Sequence, residues 1–399
     1  MPLAPVTILE TIYLNTNRLN HLLALFRLSK EDLLERLNDG LVRKLGEKDV
    51  FVDNIKLSLL KKIDKIFNKG LEYYIDPVDL TESKEESIFF RKDDFNAKLS
   101  LGAKQIVNRF EEEKIAFSAI SKLIDYKNRR TVRVCNLSEN PINVADEFRE
   151  YLYPEFAIDK RDFLKNFINK LADFNILVFE FVETHNKKEK ANINGFFLNP
   201  NVIVLKRNQK SLRREIFTLA HELGHYLLNE EDIDGNINNE SKVKVKETDI
   251  EKWCNNFAYY FLAGQYRNEL DKLSKVDSSN DYHHETIDRI SFRTHLSSLA
   301  LYTRLLINGK ISAIDYATIS DSIMQGIKEA EEARAKKLAL DKQKALDAGR
   351  PFIASTPKPI ISPLYLQTLQ GALFNGFISE QDFCSKLHIP AHKLENYLV

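Results

Sequence analysis

The sequence predicts an α+β protein that is mostly helical, with one small β-sheet near the middle of the chain. Most segments space their apolar residues three and four apart, which is the period of an amphipathic helix. Only three short runs, at 176–182, 193–198 and 202–205, have the apolar and β-branched composition of strands. The 399 residues are 43% hydrophobic and 29% charged, which is ordinary for a soluble globular protein of two or three domains.

The first 80 residues predict a small helical domain. Its expected helices lie at 17–26, 30–37 and 55–67. Ser29 is a good N-cap between the first two, so these could form a helix-turn-helix that reads DNA. A plain helical hairpin has the same pattern. The segment 39–53, where a recognition helix should lie, contains Gly40 and Gly46, which puts DNA binding in doubt.

The rest of the chain divides into three further parts. Residues 81–140 predict a helical connector, and 141–310 a domain in which helices and strands alternate. Residues 311–399 predict a long charged helix, at 314–348, and a helical tail. The helices expected in the middle domain are 143–152, 162–174, 212–228 and 249–262, and its last two strands are joined by a turn at 199–201.

Bulk charge and cysteine content limit the possible partners and compartment. Basic and acidic residues number 58 each, so no net field attracts nucleic acid or an acidic membrane. Cys135, Cys254 and Cys384 lie far apart, which argues against a disulfide framework and for a reducing compartment. We find no signal peptide and no apolar run of about 20 residues, so we expect a cytoplasmic protein without a membrane partner.

A candidate metal-binding motif lies in the helix predicted at 212–228. It reads His221-Glu222-Leu223-Gly224-His225. The two histidines are four residues apart and therefore only about 40° apart around the helix, so both imidazoles can reach one metal ion. Glu222 lies about 60° beyond His225, where a general base for a metal-activated water belongs. The alternative is the polar face of an ordinary amphipathic helix.

The opposite face of this helix is apolar and should pack into a core. Gly224 lies on that packed side. Glycine costs about 1 kcal/mol of helix propensity relative to alanine, so a compensating gain is expected there. We therefore predict that another backbone element approaches the helix closely at Gly224.

A third metal ligand is expected from the helix predicted at 249–262. Glu251 lies within the apolar arc of this helix, and a carboxylate facing a core costs several kcal/mol unless a partner such as a zinc ion neutralises it. Asn255, one turn further, could hydrogen-bond a ligand. The alternative is that Glu251 forms a capping box with Thr248, in which case Glu247 is the substitute ligand.

Two motifs together resemble the ImmA/IrrE family of metallopeptidases. The first is the run Phe217 to His225, FTLAHELGH, and the second is Glu251-x-x-Cys254-Asn255-x-Phe257-Ala258. The resemblance covers roughly residues 140–310, and a strand hairpin before the metal helix also fits it. Cys254 stands where alanine is usual in the family, and we expect a small buried thiol there and not a ligand.

The resemblance implies a zincin-like core flanked by helical N- and C-terminal domains. Its zinc ligands would be His221, His225 and Glu251, with Glu222 as the catalytic base. Family members typically cleave a transcriptional repressor in stress or mobile-element control, so the expected function is a zinc-dependent endopeptidase acting on such a protein. The alternative is a helix-turn-helix regulator, binding DNA through residues 1–80, whose metal site senses or stabilises without proteolysis.

Two further expectations concern the substrate. An extended target segment could pair with the strand Val202 to Leu205 by β-addition. Tyr226, His283 and His284 are candidates for stabilising the oxyanion, although a structural role is the alternative for each.

Overall fold

A computed structural model shows the protein as two compact units. It describes residues 11–78, 87–91, 99–183, 190–207, 209, 211–233, 248–352 and 357–398. The first unit contains the described residues up to Glu113 together with 190–192, and the second contains those from Lys114 to 183 and from 193 onward. The mostly helical α+β class is confirmed. The division into four parts remains a prediction.

The first unit is helical apart from one pair of short strands. Its elements are β1 (Thr11–Tyr13), α1 (Thr16–Leu25), α2 (Lys30–Leu37), α3 (Glu47–Val50), β2 (Asn54–Lys56), α4 (Leu57–Phe67), α5 (Leu71–Ile75), α6 (Ile88–Arg91) and the first half of α7 (Leu101–Leu123). Ser29 caps α2 as predicted, in a capping box with Asp32. A recognition helix should lie within the segment 39–53. The helix found in this segment is α3, which has only four residues.

The pairing of β1 with β2 was not predicted. The strands are antiparallel, and Ile12 lies opposite Ile55. The two strands are separated by about forty residues of mainly helical chain, so their pairing cannot be predicted from a local turn motif.

The second unit contains the remaining helices and the main sheet. Its elements are α8 (Pro141–Leu152), α9 (Lys160–Ala172), β3 (Leu177–Val182), β4 (Gly195–Leu198), β5 (Val202–Arg207), α10 (Leu212–Leu228), α11 (Asp249–Ala263), α12 (Tyr266–Lys272), α13 (His284–Thr294), α14 (Ser298–Ile307), α15 (Ala313–Asp347), α16 (Pro363–Phe374) and α17 (Glu380–Leu387), with 3₁₀ helices at Ser278–His283 and Ala391–Tyr397. The helices α12 to α14 were not predicted from the sequence. Among the described helices, none combines the length and apolar composition needed to cross a bilayer.

The three-stranded sheet has the order β3-β5-β4. β5 lies in the centre, parallel to β3 and antiparallel to β4, so the predicted hairpin of β4 and β5 is confirmed. The expectation that Val202 to Leu205 pairs with a substrate is wrong, because β3 and β4 already occupy both edges of that strand. In the described part of the chain, β4 has a strand partner on one side only.

The core of the second unit lies between this sheet and the helices α8 to α11. α10 packs against β4 and β5 on one side and against α11 on another, and α11 also packs on α8. The contacts are almost entirely apolar and include fully buried aromatic residues, among them Phe148, Phe163, Phe167, Phe197 and Phe257. α10 is therefore held on several sides, which fixes the direction of its polar stripe.

One buried charge cluster joins the sheet to the start of α10. Arg207 of β5 is 1% exposed and forms ion pairs with Glu180 of β3, at 2.9 Å, and with Glu215 of α10, at 2.6 Å. The backbone N–H of Ile360 also donates to Glu180, so the C-terminal segment is attached to the same cluster. Burial raises the pKa of Glu180 to about 7, in spite of the opposing attraction of Arg207.

Removal of the positive charge of Arg207 should destabilise the fold. Arg207→Met leaves two buried carboxylates without their cation, and we expect a loss of about 3–5 kcal/mol in the free energy of unfolding. Chemical denaturation measures this directly. Arg289→Met is the control, because its ion pair with Glu269 is exposed and should contribute little. Equal effects of the two substitutions would contradict a structural role for the buried cluster.

Candidate metal centre

α10 presents both histidines of the motif on one face. The helix begins after Ser211, whose side chain accepts a hydrogen bond from the N–H of Arg214, and it ends at Asn229 in the left-handed conformation. The helix bounds are those predicted. His221 and His225 are 7% and 1% exposed, so the polar stripe faces the interior of the domain.

α11 supplies the carboxylate. Its N-cap is Thr248, whose side chain accepts from the backbone N–H of Glu251, which is one of the two hydrogen bonds of the capping box in the alternative. The side chain of Glu251, however, faces the two histidines and is 4% exposed. Glu251 can therefore take part in both arrangements at once. Its backbone N–H donates to the N-cap Thr248, while its side-chain carboxylate faces the two histidines. Glu247, the substitute ligand, lies outside the described residues.

The three donor groups are spaced as ligands of one ion. The Nε2 atoms of His221 and His225 are 3.1 Å apart, and they lie 3.3 and 3.2 Å from the carboxylate oxygens of Glu251. A tetrahedral zinc ion with bonds of 2.0–2.1 Å separates its donors by about 3.3 Å. Two imidazoles and a carboxylate are also an ordinary zinc donor set. Elsewhere in the described residues, no group of three such side chains has ligand atoms this close.

The second nitrogen of His221 is held by α11. Its Nδ1 lies 3.0 Å from Oδ1 of Asn255, the hydrogen bond expected from the sequence. The amide oxygen is an acceptor, so Nδ1 carries the proton and Nε2 presents its lone pair to the cluster. Asn255 thereby fixes the tautomer that a metal ligand needs.

His225 is in a strongly acidic environment. Burial disfavours its charged form, but the neighbouring Cys254, Glu251 and Glu222 together raise its pKa well above the usual value. Without a metal ion, a proton on His225 thus partly neutralises the buried carboxylates. A bound cation would replace that proton.

Glu222 lies between α10 and the edge strand β4. It is 2% exposed, and Gly195, the first residue of β4, lies directly against it. A Cβ atom at position 195 would come within 2.9 Å of the Glu222 Oε1 and of the Thr218 Cγ2. The missing side chain therefore leaves space for the carboxylate. A glycine inside a strand run is the sequence signal for such close approach.

The predicted close approach at Gly224 is confirmed. A Cβ atom there would lie 3.2 Å from the Cα, Cβ and Sγ atoms of Cys254. The approaching element is α11, so the glycine lets the two ligand-bearing helices pack more closely than any larger residue would allow.

The three oxyanion candidates have no contact with this cluster among their hydrogen bonds. Tyr226 is fully buried in the apolar core. His284 hydrogen-bonds through Nδ1 to the hydroxyl of Tyr302, and His283 through Nε2 to Ser274. These bonds give each histidine a structural role at the α12–α14 end of the unit.

Comparison with known proteins shows that this part of the chain is similar to a known family. Residues 171–263 match the family model described as the IrrE N-terminal-like domain, a peptidase family. The match confirms the predicted resemblance to the ImmA/IrrE family, and it runs from the end of α9 to α11. No curated protein matches the chain.

The close contact between α10 and α11 at Gly224 can be tested with one pair of substitutions. Gly224→Ala pushes a methyl group against the backbone of Cys254, and we expect it to lower the free energy of unfolding by about 1–3 kcal/mol. Gly326→Ala in α15 is the control, because no atom lies within 4 Å of the added Cβ. It should stabilise by about 0.5–1 kcal/mol through helix propensity. Similar gains at both positions would show that the helices do not depend on this contact.

Metal binding should displace protons. Because its acidic neighbours raise the pKa of His225, a proton competes with the metal ion for this ring, and zinc binding at pH 7 should release protons. The apparent zinc affinity should rise as the pH approaches that pKa, since fewer protons then compete for Nε2. Isothermal titration calorimetry in two buffers of different ionisation enthalpy measures the release. His392→Gln, at an exposed position, should not change it; an absence of proton release would contradict the assignment.

Proposed function

We propose that this chain, whose residues 171–263 form an IrrE N-terminal-like domain of the ImmA/IrrE family, is a zinc-dependent endopeptidase. The main support is the close grouping of donor atoms: the Nε2 atoms of His221 and His225 are 3.1 Å apart, and each lies within 3.3 Å of one carboxylate oxygen of Glu251. Glu222 lies on the same helix face, where a hydrolase needs a base and a purely structural site does not.

His221, His225 and Glu251 would hold the ion. Bound zinc supplies Lewis-acid polarisation of a carbonyl and lowers the pKa of water towards about 7. Glu222 would accept the proton of the attacking water and pass it to the nitrogen of the departing amine, so one carboxylate acts as base and then as acid. The buried surroundings strengthen both transfers because water does not compete for the charges.

The number of ligands favours catalysis over a structural role. Structural zinc sites close all four positions with protein ligands, whereas catalytic sites use three and leave one open. In the described residues the cluster consists of three ligands. The alternative of a regulator whose metal only stabilises or senses is therefore less well supported.

We infer that the substrate binds as an extended segment along β4. This strand replaces Val202 to Leu205 as the candidate, since it has one strand partner and begins at Gly195, beside Glu222. A target would need a locally unfolded segment to pair in this way. All four residues of β4 are buried, so pairing also requires movement of the chain that covers the strand.

The family relationship suggests a regulatory protein as the target. A transcriptional repressor or another regulator of stress or mobile-element genes, cleaved in a flexible segment, fits both the family and the extended binding mode. DNA binding through residues 1–80 remains a separate hypothesis.

The decisive experiment compares the wild type with Glu222→Gln. Each zinc-loaded chain is incubated with the proteins encoded beside its gene, and fragments are identified by mass spectrometry. We expect cleavage by the wild type that stops with a chelator and returns with zinc. Glu222→Gln should still bind one zinc ion per chain but lose at least about 100-fold in rate, because the base is missing. Glu285→Gln, at an exposed position, is the matched control.

Two results would contradict the proposal. Full cleavage by Glu222→Gln would remove this residue from the mechanism. Zinc binding without cleavage of any co-encoded protein, together with salt-dependent DNA binding by the full chain, would favour the regulator instead.

A further inference from the structure

The two histidine ligands differ in how their second nitrogen is held. Nδ1 of His221 is paired with Asn255. Nδ1 of His225 is completely buried, and it has no hydrogen-bond partner among the residues that the structure describes. Metal-binding histidines almost always donate their other N–H to a neighbour, because this fixes the tautomer and the orientation of the ring. The Nδ1–H of His225 therefore needs a hydrogen-bond acceptor when Nε2 of the same ring binds a metal ion.

Cys254 is in position to be that partner. It precedes Asn255 on α11 and is fully buried. Its Sγ lies 3.2 Å from the place where a Cβ of Gly224 would be, and hence close to the backbone that leads into His225. The side chain of Cys254 also interacts directly with that of His225.

Direct metal ligation by Cys254 does not fit the geometry. The donor atoms of His221, His225 and Glu251 all lie within 4.8 Å of one another, and the sulfur is not a member of that group. Sulfur is, however, a weak hydrogen-bond acceptor and donor, and it is large enough to fill the space that Gly224 leaves between the helices.

We infer that Cys254 is a positioning residue of the metal centre: its Sγ accepts a hydrogen bond from the Nδ1–H of His225 when Nε2 of that ring binds the metal. This inference rests on the metal centre of the proposed function. Cys254 and Asn255, which are consecutive on α11, then each accept a hydrogen bond from the Nδ1–H of one imidazole, Cys254 from His225 and Asn255 from His221. The same helix supplies Glu251, so it provides one ligand and orients the other two.

Metal binding by four full-length proteins tests this role. They are the wild type, Cys254→Ala, Cys254→Ser and the control Cys135→Ala, a second buried cysteine of the same core. Zinc dissociation constants are measured by competition with a chromophoric chelator. We expect Cys254→Ala to weaken zinc binding about 10- to 100-fold, which is the usual effect of removing a partner of a ligand. Cys254→Ser keeps an acceptor and should retain most of the affinity, and Cys135→Ala should match the wild type.

The cobalt-substituted proteins give a second readout that does not depend on activity. The wild type should show d–d bands of a nitrogen and oxygen site without a thiolate-to-cobalt charge-transfer band, and these bands should shift in Cys254→Ala because the ring is reoriented. Unfolding midpoints of the metal-free proteins separate loss of packing from loss of metal binding. If Cys254→Ala does not fold, the near-isosteric Cys254→Ser provides the comparison, with its d–d bands expected close to those of the wild type.

Two results would overturn the inference. An unchanged zinc affinity in Cys254→Ala would show that the sulfur does not position His225. A charge-transfer band in the wild type that disappears in Cys254→Ala would make Cys254 a ligand. Neither measurement uses proteolysis, so zinc binding with the expected pattern but without cleavage would contradict the endopeptidase proposal alone.

Discussion

The close packing of α10 against α11 is the contact on which the candidate metal centre depends. At Gly224 the two helices approach so closely that a single added methyl group would press on the backbone of Cys254. This approach brings Glu251 within 3.3 Å of both histidines. A larger separation would leave each group buried without the others, which is unfavourable for a carboxylate in an apolar core.

Two clusters of buried charged groups lie along α10 in the second unit. Arg207 of β5 is neutralised by two carboxylates, one from Glu180 of β3 and one from Glu215 near the start of α10. Further along α10, the carboxylates of Glu222 on the same helix and of Glu251 on α11 raise the pKa of His225. The first cluster contains its own cation, whereas a metal ion would supply the cation of the second.

Local signals in the sequence predicted most of the elements around the site. The bounds of α10 and the hairpin of β4 and β5 follow from helical periodicity, a serine N-cap and an Asn-Pro-Asn turn, all of which act within a few residues. The order of the sheet did not follow, because β3 pairs with β5 across the intervening strand. That long-range pairing places β5 in the centre and leaves β4 as the strand beside Glu222.

The sequence by itself determined the chemistry: two histidines one turn apart, a glutamate between them, and an acidic residue on the apolar face of a second helix. Helical geometry fixes these relations within each helix, whatever the rest of the chain does. Only the tertiary structure decided which side chain faces the nitrogens of His225, and how near Gly195 lies to Glu222. Those distances depend on how separate elements pack, and packing is set by side-chain volumes across the whole core.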